Sequence, residues 1–258
     1  MTRSFDLLGN IVILNFPLDW SLERKKKKAK EILASNKSIK TVLEKTGKVK
    51  GRLRKPETKY ILGEKTKEVV YKENNCVFRF NVDTTYFSPR LSNERKEIAD
   101  LIKKGEKVLV CFAGVAPFSV VIAKNSKAGN VVSNELNREA NKYGRLNAEL
   151  NKVKSKIEFW DGDIKKIASK KDEKFDVVVM PRPQLKDTFL SSAFKFSKKD
   201  TRIYYYDFCK VGEEKQIIEK IKSEAKLAKK KIKILKVKKA GEIAPYKIRL
   251  RVDFRVVG

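Results

Sequence analysis

Histidine is absent from the 258-residue chain. That absence removes a Ser-His-Asp triad, an imidazole general base and any His-containing metal site. Cysteine is scarce: Cys76, Cys111 and Cys209 are odd in number and far apart, which argues against a disulfide framework and cannot close a zinc site. No run approaches the ~20 apolar residues of a membrane span, and the start, Met1-Thr2-Arg3-Ser4-Phe5-Asp6, lacks the hydrophobic stretch of a signal peptide. Acid is under-represented as well, with 32 Asp and Glu against 61 Lys and Arg and a net charge of +29. Catalysis must therefore use carboxylate, Lys, Arg, Tyr, Cys or backbone groups. The expectation is a cytoplasmic monomer without metal or membrane attachment.

What is present is enough apolar residue, 41%, to bury a core, so the charge does not signal disorder. A surface this basic binds polyanions, nucleic acid foremost. Compositional bias is the competing reading: only 14 of the 61 basic residues are arginine, and lysine is spread everywhere. Lysine and glutamate enrichment can also reflect a hot habitat.

Along the chain, strand-like runs at 10–15, 41–43, 60–62, 68–71 and 76–81 surround a lysine-rich helix over 22–35. These read as a small mixed α/β module over 1–83. From 84 to 258 helix and strand alternate. Strands are expected at 107–111, 130–133, 156–160, 176–180, 202–208, 232–237 and 248–256. Helices are expected from about Pro117 to Ala123, over 137–151, after Asp163, over 185–196 and over 213–229. Such alternation implies a mostly parallel sheet covered on both faces, and the last two strands, with no long helix between them, imply an antiparallel edge.

Ligands of such sheets bind at the carboxyl ends of the strands. The tip after 107–111 reads Phe112-Ala113-Gly114-Val115-Ala116-Pro117, where Gly114 permits close approach of a ligand to the backbone. A single glycine serves a dinucleotide pyrophosphate poorly. The next strand ends at Asn134-Glu135, with a carboxylate able to hold two ribose hydroxyls, and the third in Asp161-Gly162-Asp163, where Asp163 can accept from an adenine amino group. Each acid alone would more often cap the following helix. All three features at successive strand ends form the pattern of an S-adenosylmethionine site.

Two motifs carry a more specific resemblance. Thr85-Tyr86-Phe87-Ser88-Pro89-Arg90-Leu91-Ser92-Asn93-Glu94-Arg95 and Phe112-Ala113-Gly114-Val115-Ala116-Pro117-Phe118 resemble the archaeal and eukaryotic tRNA (guanine-37-N1)-methyltransferase family, including its wyosine-pathway relatives. The similarity extends upstream through Ser4-Phe5-Asp6-Leu7-Leu8-Gly9, Gly51-Arg52-Leu53-Arg54 and Gly63-Glu64, and so covers essentially the whole chain. The resemblance implies a class I (Rossmann-like) methyltransferase domain behind the small N-terminal RNA-interaction domain, S-adenosylmethionine as cofactor, and the tRNA anticodon stem-loop as partner. By that likeness Arg54 contacts the target guanine and Glu94 is the general base. Arg95, Phe112, Gly114, Glu135, Leu136, Asp163 and Pro183 line the donor, while Tyr86, Arg90 and Pro183 meet the substrate. The implied reaction methylates N1 of guanosine 37. Kept beside it are methylation of C7 of the tricyclic wyosine intermediate, transfer of an aminocarboxypropyl group from the same donor, and a silent tRNA-binding protein.

The chain departs from the family pattern in three places. The Asn-x-Pro signature aligns with Pro181-Arg182-Pro183, so the asparagine is lost and Pro183 retained. Ala116 stands where glycine is usual and is expected to tighten the pocket, and Arg138 stands where proline often follows Leu-Asn. On residue chemistry alone Glu94 could simply pair with Arg90 at i,i+4, Arg54 reads as a phosphate contact, and Tyr204-Tyr205-Tyr206 reads as packing more readily than base stacking.

Overall fold

The computed structural model describes residues 5–47 and 57–258. The first unit is a four-stranded sheet, β1 (Phe5–Leu8), β2 (Ile11–Leu14), β3 (Thr41–Lys45) and β4 (Thr58–Gly63), in that spatial order. Helix α1 (Leu22–Ser35) carries the chain from β2 to the parallel β3, with Ser21 capping its first turn. Its lysines lie on or near solvent, while Ala29 is fully buried over Val12, Leu14 and Val42. Two glycines of the upstream motifs explain themselves here. Gly9 (φ +55°) turns the chain between β1 and β2, and a Cβ on it would lie 1.9 Å from the Val70 carbonyl oxygen; on Gly63 (φ +100°) it would lie 2.1 Å from that of Lys40.

Strands β5 (Glu68–Glu73) and β6 (Cys76–Asn81) form a hairpin on an Asn74-Asn75 turn, both residues at positive φ as a type I′ turn requires. Its partner is a helix of the second unit, α4 (Arg138–Leu150). Asn147 on that helix and Asn151 just after it bond the N–H and C=O of Arg79 and Val77 respectively, at 2.7–3.1 Å, replacing the neighbouring strand that the hairpin edge lacks.

The second unit starts with Pro89–Leu91, a 3₁₀ turn, and α2 (Ser92–Leu101). It continues with β7 (Lys107–Cys111), α3 (Pro117–Asn125), β8 (Asn130–Glu135), then α4, β9 (Ile157–Asp161), α5 (Ile164–Ala168) and β10 (Phe175–Met180). The chain closes through α6 (Leu190–Lys195), β11 (Ser197–Lys210), α7 (Glu214–Leu227), β12 (Ile232–Ala244) and β13 (Lys247–Val256). The seven strands order as β12-β13-β11-β10-β7-β8-β9. Strands β9 through β11 are parallel, and β13 lies antiparallel between β11 and β12. The antiparallel edge is thus as the sequence predicts. Strands β7 and β10 at the middle are the most apolar, and Val108 to Cys111 and Val177 to Met180 have no measurable exposure.

Three elements differ from expectation. Strand β1 and helix α2 were not anticipated as such, and the helix expected over 185–196 is only α6. Phe189 at φ +58° breaks that helix, and its N–H is taken by the Asp187 carboxylate, so 181–189 runs as a loop. The three tyrosines at 204–206 are buried, as packing predicts, and the three cysteines are free and buried. No helix among the described residues is long and apolar enough to cross a membrane.

Arg95 in α2 is 1% exposed and clamps Glu73 of the hairpin in a bidentate pair, while also donating to the Ser88 carbonyl at 3.0 Å. The resemblance places Arg95 at the donor; here Arg95 does not line the donor pocket, and it ties the hairpin to the second unit alongside Asn147 and Asn151. Glu73→Ala would leave a buried guanidinium without its carboxylate, and the expected loss is about 3–5 kcal/mol in chemical denaturation. A loss under about 1 kcal/mol, the ordinary range of a surface pair, would show that the clamp does not hold the two parts together.

Candidate donor site and the cleft beside it

The carboxyl ends of β7, β8, β9 and β10 open a pocket lined by apolar side chains and a few polar groups, the usual composition of a small-ligand site. Its construction begins at the tip of β7. Phe112 and Gly114 both take left-handed backbone conformations (φ +57° and +58°), which turns the chain sharply before Pro117 starts α3. A Cβ on Gly114 would stand 3.2 Å from the Tyr86 carbonyl oxygen.

Glu135, at the end of β8, holds this turn. Its Oε2 accepts the Gly114 N–H at 2.7 Å and its Oε1 accepts the Asn137 N–H at 2.8 Å. Burial pushes its carboxyl above the usual range, against the pull of the N–H groups of Asn137, Gly114 and Leu136. It does not cap α4, because Asn137 does so through the Glu139 N–H. Each carboxylate oxygen can accept more than one hydrogen bond, so capacity remains for a vicinal diol. Asn134 donates to the Trp160 and Gly162 carbonyls at 2.8 and 3.0 Å, fixing the turn that presents Asp163. Asp163 both caps α5, accepting from the Lys165 N–H at 2.9 Å, and lines the pocket.

Of the residues assigned from sequence, Tyr86, Phe112, Gly114, Glu135, Leu136, Asp163 and Pro183 all line this one pocket. Sequence reasoning missed Asn137, Leu185 and Phe189. Asn137 was readable as a helix cap, and Phe189, whose ring meets Phe112 at 5.0 Å, sat inside the over-long helix. Ala116 does not tighten the pocket. It is 1% exposed, sits at φ +63°, where glycine is unstrained, and packs on Gly144 of α4. Arg138 is the first residue of α4, the place where proline is favoured.

A second, larger cleft of about 370 Å³ lies between the two units. Arg90, Ser88 and Arg249 line it from the second unit and Asp6, Lys45 and Thr58 from the first. Tyr86 belongs to both cavities. Arg90 is exposed and pairs with Asp6 at 3.5 Å, not with Glu94. Arg54 lies outside the described residues.

Glu94 lines neither cavity. It is 5% exposed, with Oε2 accepting from Tyr206 (2.9 Å) and Arg251 (2.7 Å) and Oε1 paired with Lys238 (2.8 Å). Arg251 is bonded in addition to Glu97 and Asp253, at 2.7 Å each. The resemblance assigned Glu94 to proton abstraction; in this arrangement its carboxylate is held by two cations and a phenol.

Pocket and fold together define a class I methyltransferase. The model of the TRM5/TYW2 methyltransferase domain matches residues 69–235, and that of the TYW2 N-terminal domain matches 1–66. The chain belongs to the TRM5/TYW2 methyltransferase family, whose donor is S-adenosylmethionine. It is 33% identical to the tRNA (guanine(37)-N(1))/4-demethylwyosine(37)-methyltransferase Taw22 of Nanoarchaeum equitans, over 98% of this chain and 100% of that one. The crystal structure of Trm5b from Pyrococcus abyssi superposes with a TM-score of 0.87 at 32% identity, over 100% of this chain and 76% of that one. That of aTrm5 with tRNALeu superposes at 0.84 and 26% identity, over 100% and 72%.

Two outcomes follow. If Glu135 receives the donor's ribose, Glu135→Ala should weaken donor binding by about 1.5–3 kcal/mol in titration calorimetry; an unchanged affinity would place the ribose elsewhere. Glu97 gives a pH test. Burial raises its carboxyl, but hydrogen bonds from Arg251 and Lys238 outweigh that and hold it at about 2, below its ordinary 4.5. A depressed carboxyl stabilises the fold above its unfolded value and loses that contribution as pH falls through its folded one. The melting-temperature gap between the parent and Glu97→Gln should therefore be widest above pH 4.5 and shrink between 4.5 and 2. A gap independent of pH would mean that the pairing contributes nothing.

Proposed function

We propose that the protein methylates N1 of guanosine 37 in tRNA, with the anticodon loop seated in the basic cleft between the units. The observation that carries this reading is the junction at Tyr86, where the pocket holding Glu135 and Asp163 opens beside a cleft bearing Arg90, Arg249 and Lys45. Phosphate contacts from the lysine-rich surface would hold the stem, and the target base must leave its stack to reach the donor.

Glu135 and Asp163 would hold the donor's ribose and adenine, and Phe112, Leu136 and Pro183 would enclose the adenosine. When bound, S-adenosylmethionine supplies an electrophilic methyl on a sulfonium, a good leaving group. The protein's task is to make N1 nucleophilic, since that nitrogen carries a proton at neutral pH. Arg54 would donate to O6 and stabilise the charge that develops there. Glu94 would accept the N1 proton after exchanging its present partners for substrate. That exchange leaves no orphaned cation, because Arg251 keeps Asp253 and Glu97, and Lys238 keeps Glu97.

A second reading, N1 methylation together with methylation of a wyosine-pathway intermediate, is favoured by two observations. The Nanoarchaeum relative named for both guanine and 4-demethylwyosine is matched over its full length, and the N-terminal 66 residues match the TYW2 module.

The test is nucleoside mass spectrometry after incubation of the protein with labelled donor and unmodified tRNA transcript, then with tRNA carrying the tricyclic intermediate. 1-Methylguanosine at position 37 is expected from the first substrate; no methylated nucleoside from either would sink the proposal. In single-turnover assays Glu94→Gln should slow methylation by about 10²–10⁴ with partial recovery as pH rises. A parental rate near neutral pH would reduce Glu94 to an anchor of α2.

A further inference from the structure

The Pro181-Arg182-Pro183 segment, where the family pattern has Asn-x-Pro, lacks an obvious function because neither proline can donate a hydrogen bond from backbone or side chain. Pro181, Pro183 and Leu185 face the donor pocket, and Arg182 between them does not. Its side chain runs the opposite way into the protein and is 3% exposed. There Nη2 meets Asp207 Oδ1 at 2.8 Å and Nε meets the Tyr205 hydroxyl at 2.9 Å. The same guanidinium reaches back to its own loop, with Nη1 donating to the Pro183 carbonyl at 2.8 Å and to the Leu185 carbonyl at 3.2 Å. Tyr205 in turn donates to Asp207 Oδ2 at 3.0 Å, and the Phe208 N–H donates to Asp207 Oδ1 at 2.8 Å.

The planar fork thus holds two carbonyls of the pocket wall and a carboxylate of β11 at once. Two prolines stiffen the loop locally, but nothing in their own chemistry fixes where the stiffened loop sits against the sheet. The buried guanidinium supplies that missing coordinate. We propose that Arg182 is a positioning residue for the donor site: through Asp207 and Tyr205 it sets the wall formed by Pro181, Pro183 and Leu185, and with it the placement of the donor. The inference rests on the assignment of this pocket to the donor.

A lysine cannot replace the fork, since a single ammonium cannot span Asp207 and the carbonyls of both Pro183 and Leu185 in this planar arrangement. Arg182→Lys and Arg182→Met should each weaken S-adenosylmethionine binding by about tenfold in titration calorimetry. Single-turnover methylation at saturating donor should fall by up to about 10²-fold, the scale of an ångström's misplacement. Affinity for tRNA should stay at the parental value.

A purely structural role is separated by the triple variant Arg182→Met, Tyr205→Phe, Asp207→Leu. It removes the buried charges together, so its melting temperature should recover towards that of the parent. Its donor affinity should not recover, because the carbonyls of Pro183 and Leu185 still lack their donor. Recovery of both stability and donor binding would overturn the proposal, as would parental affinity in both single variants. Failure of the unsubstituted protein to bind S-adenosylmethionine would overturn the donor-site assignment itself, and the proposal with it.

Discussion

The Glu135 carboxylate is the constraint around which the site is arranged. Parallel strands deliver β7, β8, β9 and β10 to one edge, but their tips are loops that could settle in many ways. Glu135 removes that freedom by accepting the Gly114 N–H from one tip and the Asn137 N–H at the start of α4. The carboxylate is thereby preorganised, with its orientation fixed by bonds within the protein, so a ribose would meet an acceptor already aimed. Burial makes the charge costly, as the upward displacement of its carboxyl records. The left-handed turns at Phe112 and Gly114 belong to the same arrangement, because only a sharply reversed chain presents the Gly114 N–H to Glu135.

Behind the site lie buried ion pairs that connect parts of the chain remote in sequence. Arg95 reaches Glu73 in the hairpin, Arg182 reaches Asp207 in β11, and Arg251 in β13 reaches Glu94 and Glu97 in α2. Such pairs add little stability relative to apolar packing, yet removing one partner is costly. Their effect here is registration: Arg182 and Arg251 fix a loop and a helix against the central sheet, and Arg95 fixes the same helix against the hairpin. Glu94 anchors the helix that follows Tyr86 and Arg90, and Arg182 anchors the loop bearing the two prolines.

Much of this was legible in the sequence wherever the signal is local. The boundaries of α1 and β7 agree with the hydrophobic pattern, and the donor pocket follows from three strand tips read in order. Long-range pairing was not legible. Arg95 and Glu94 sit in a motif that resembles a catalytic one, but nothing local shows that their partners are Glu73 on one side and Arg251, 157 positions away, on the other. The helix over 185–196 was overestimated for a related reason. Its apolar residues suit a helix, whereas the loop 181–189 is dictated by the Arg182 bonds and by the reversal at Phe189.

The excess of positive charge divides by residue type. The buried charged side chains among the described residues include Arg95, Arg182, Arg249 and Arg251 but no lysine. The planar guanidinium can satisfy several acceptors at once and is more weakly hydrated than an ammonium, so arginine is the cation that tolerates burial. Lysine is left to the surface, where it meets water. A diffuse lysine field attracts any polyanion and reads neither sequence nor shape. If the cleft takes RNA as proposed, discrimination would arise where the field gives way to fixed geometry, where Arg90 and Arg249 stand beside Tyr86 and the donor pocket. On the proposed function, this division would leave the lysines to attract RNA and the arginine-fixed framework to select the base that is methylated.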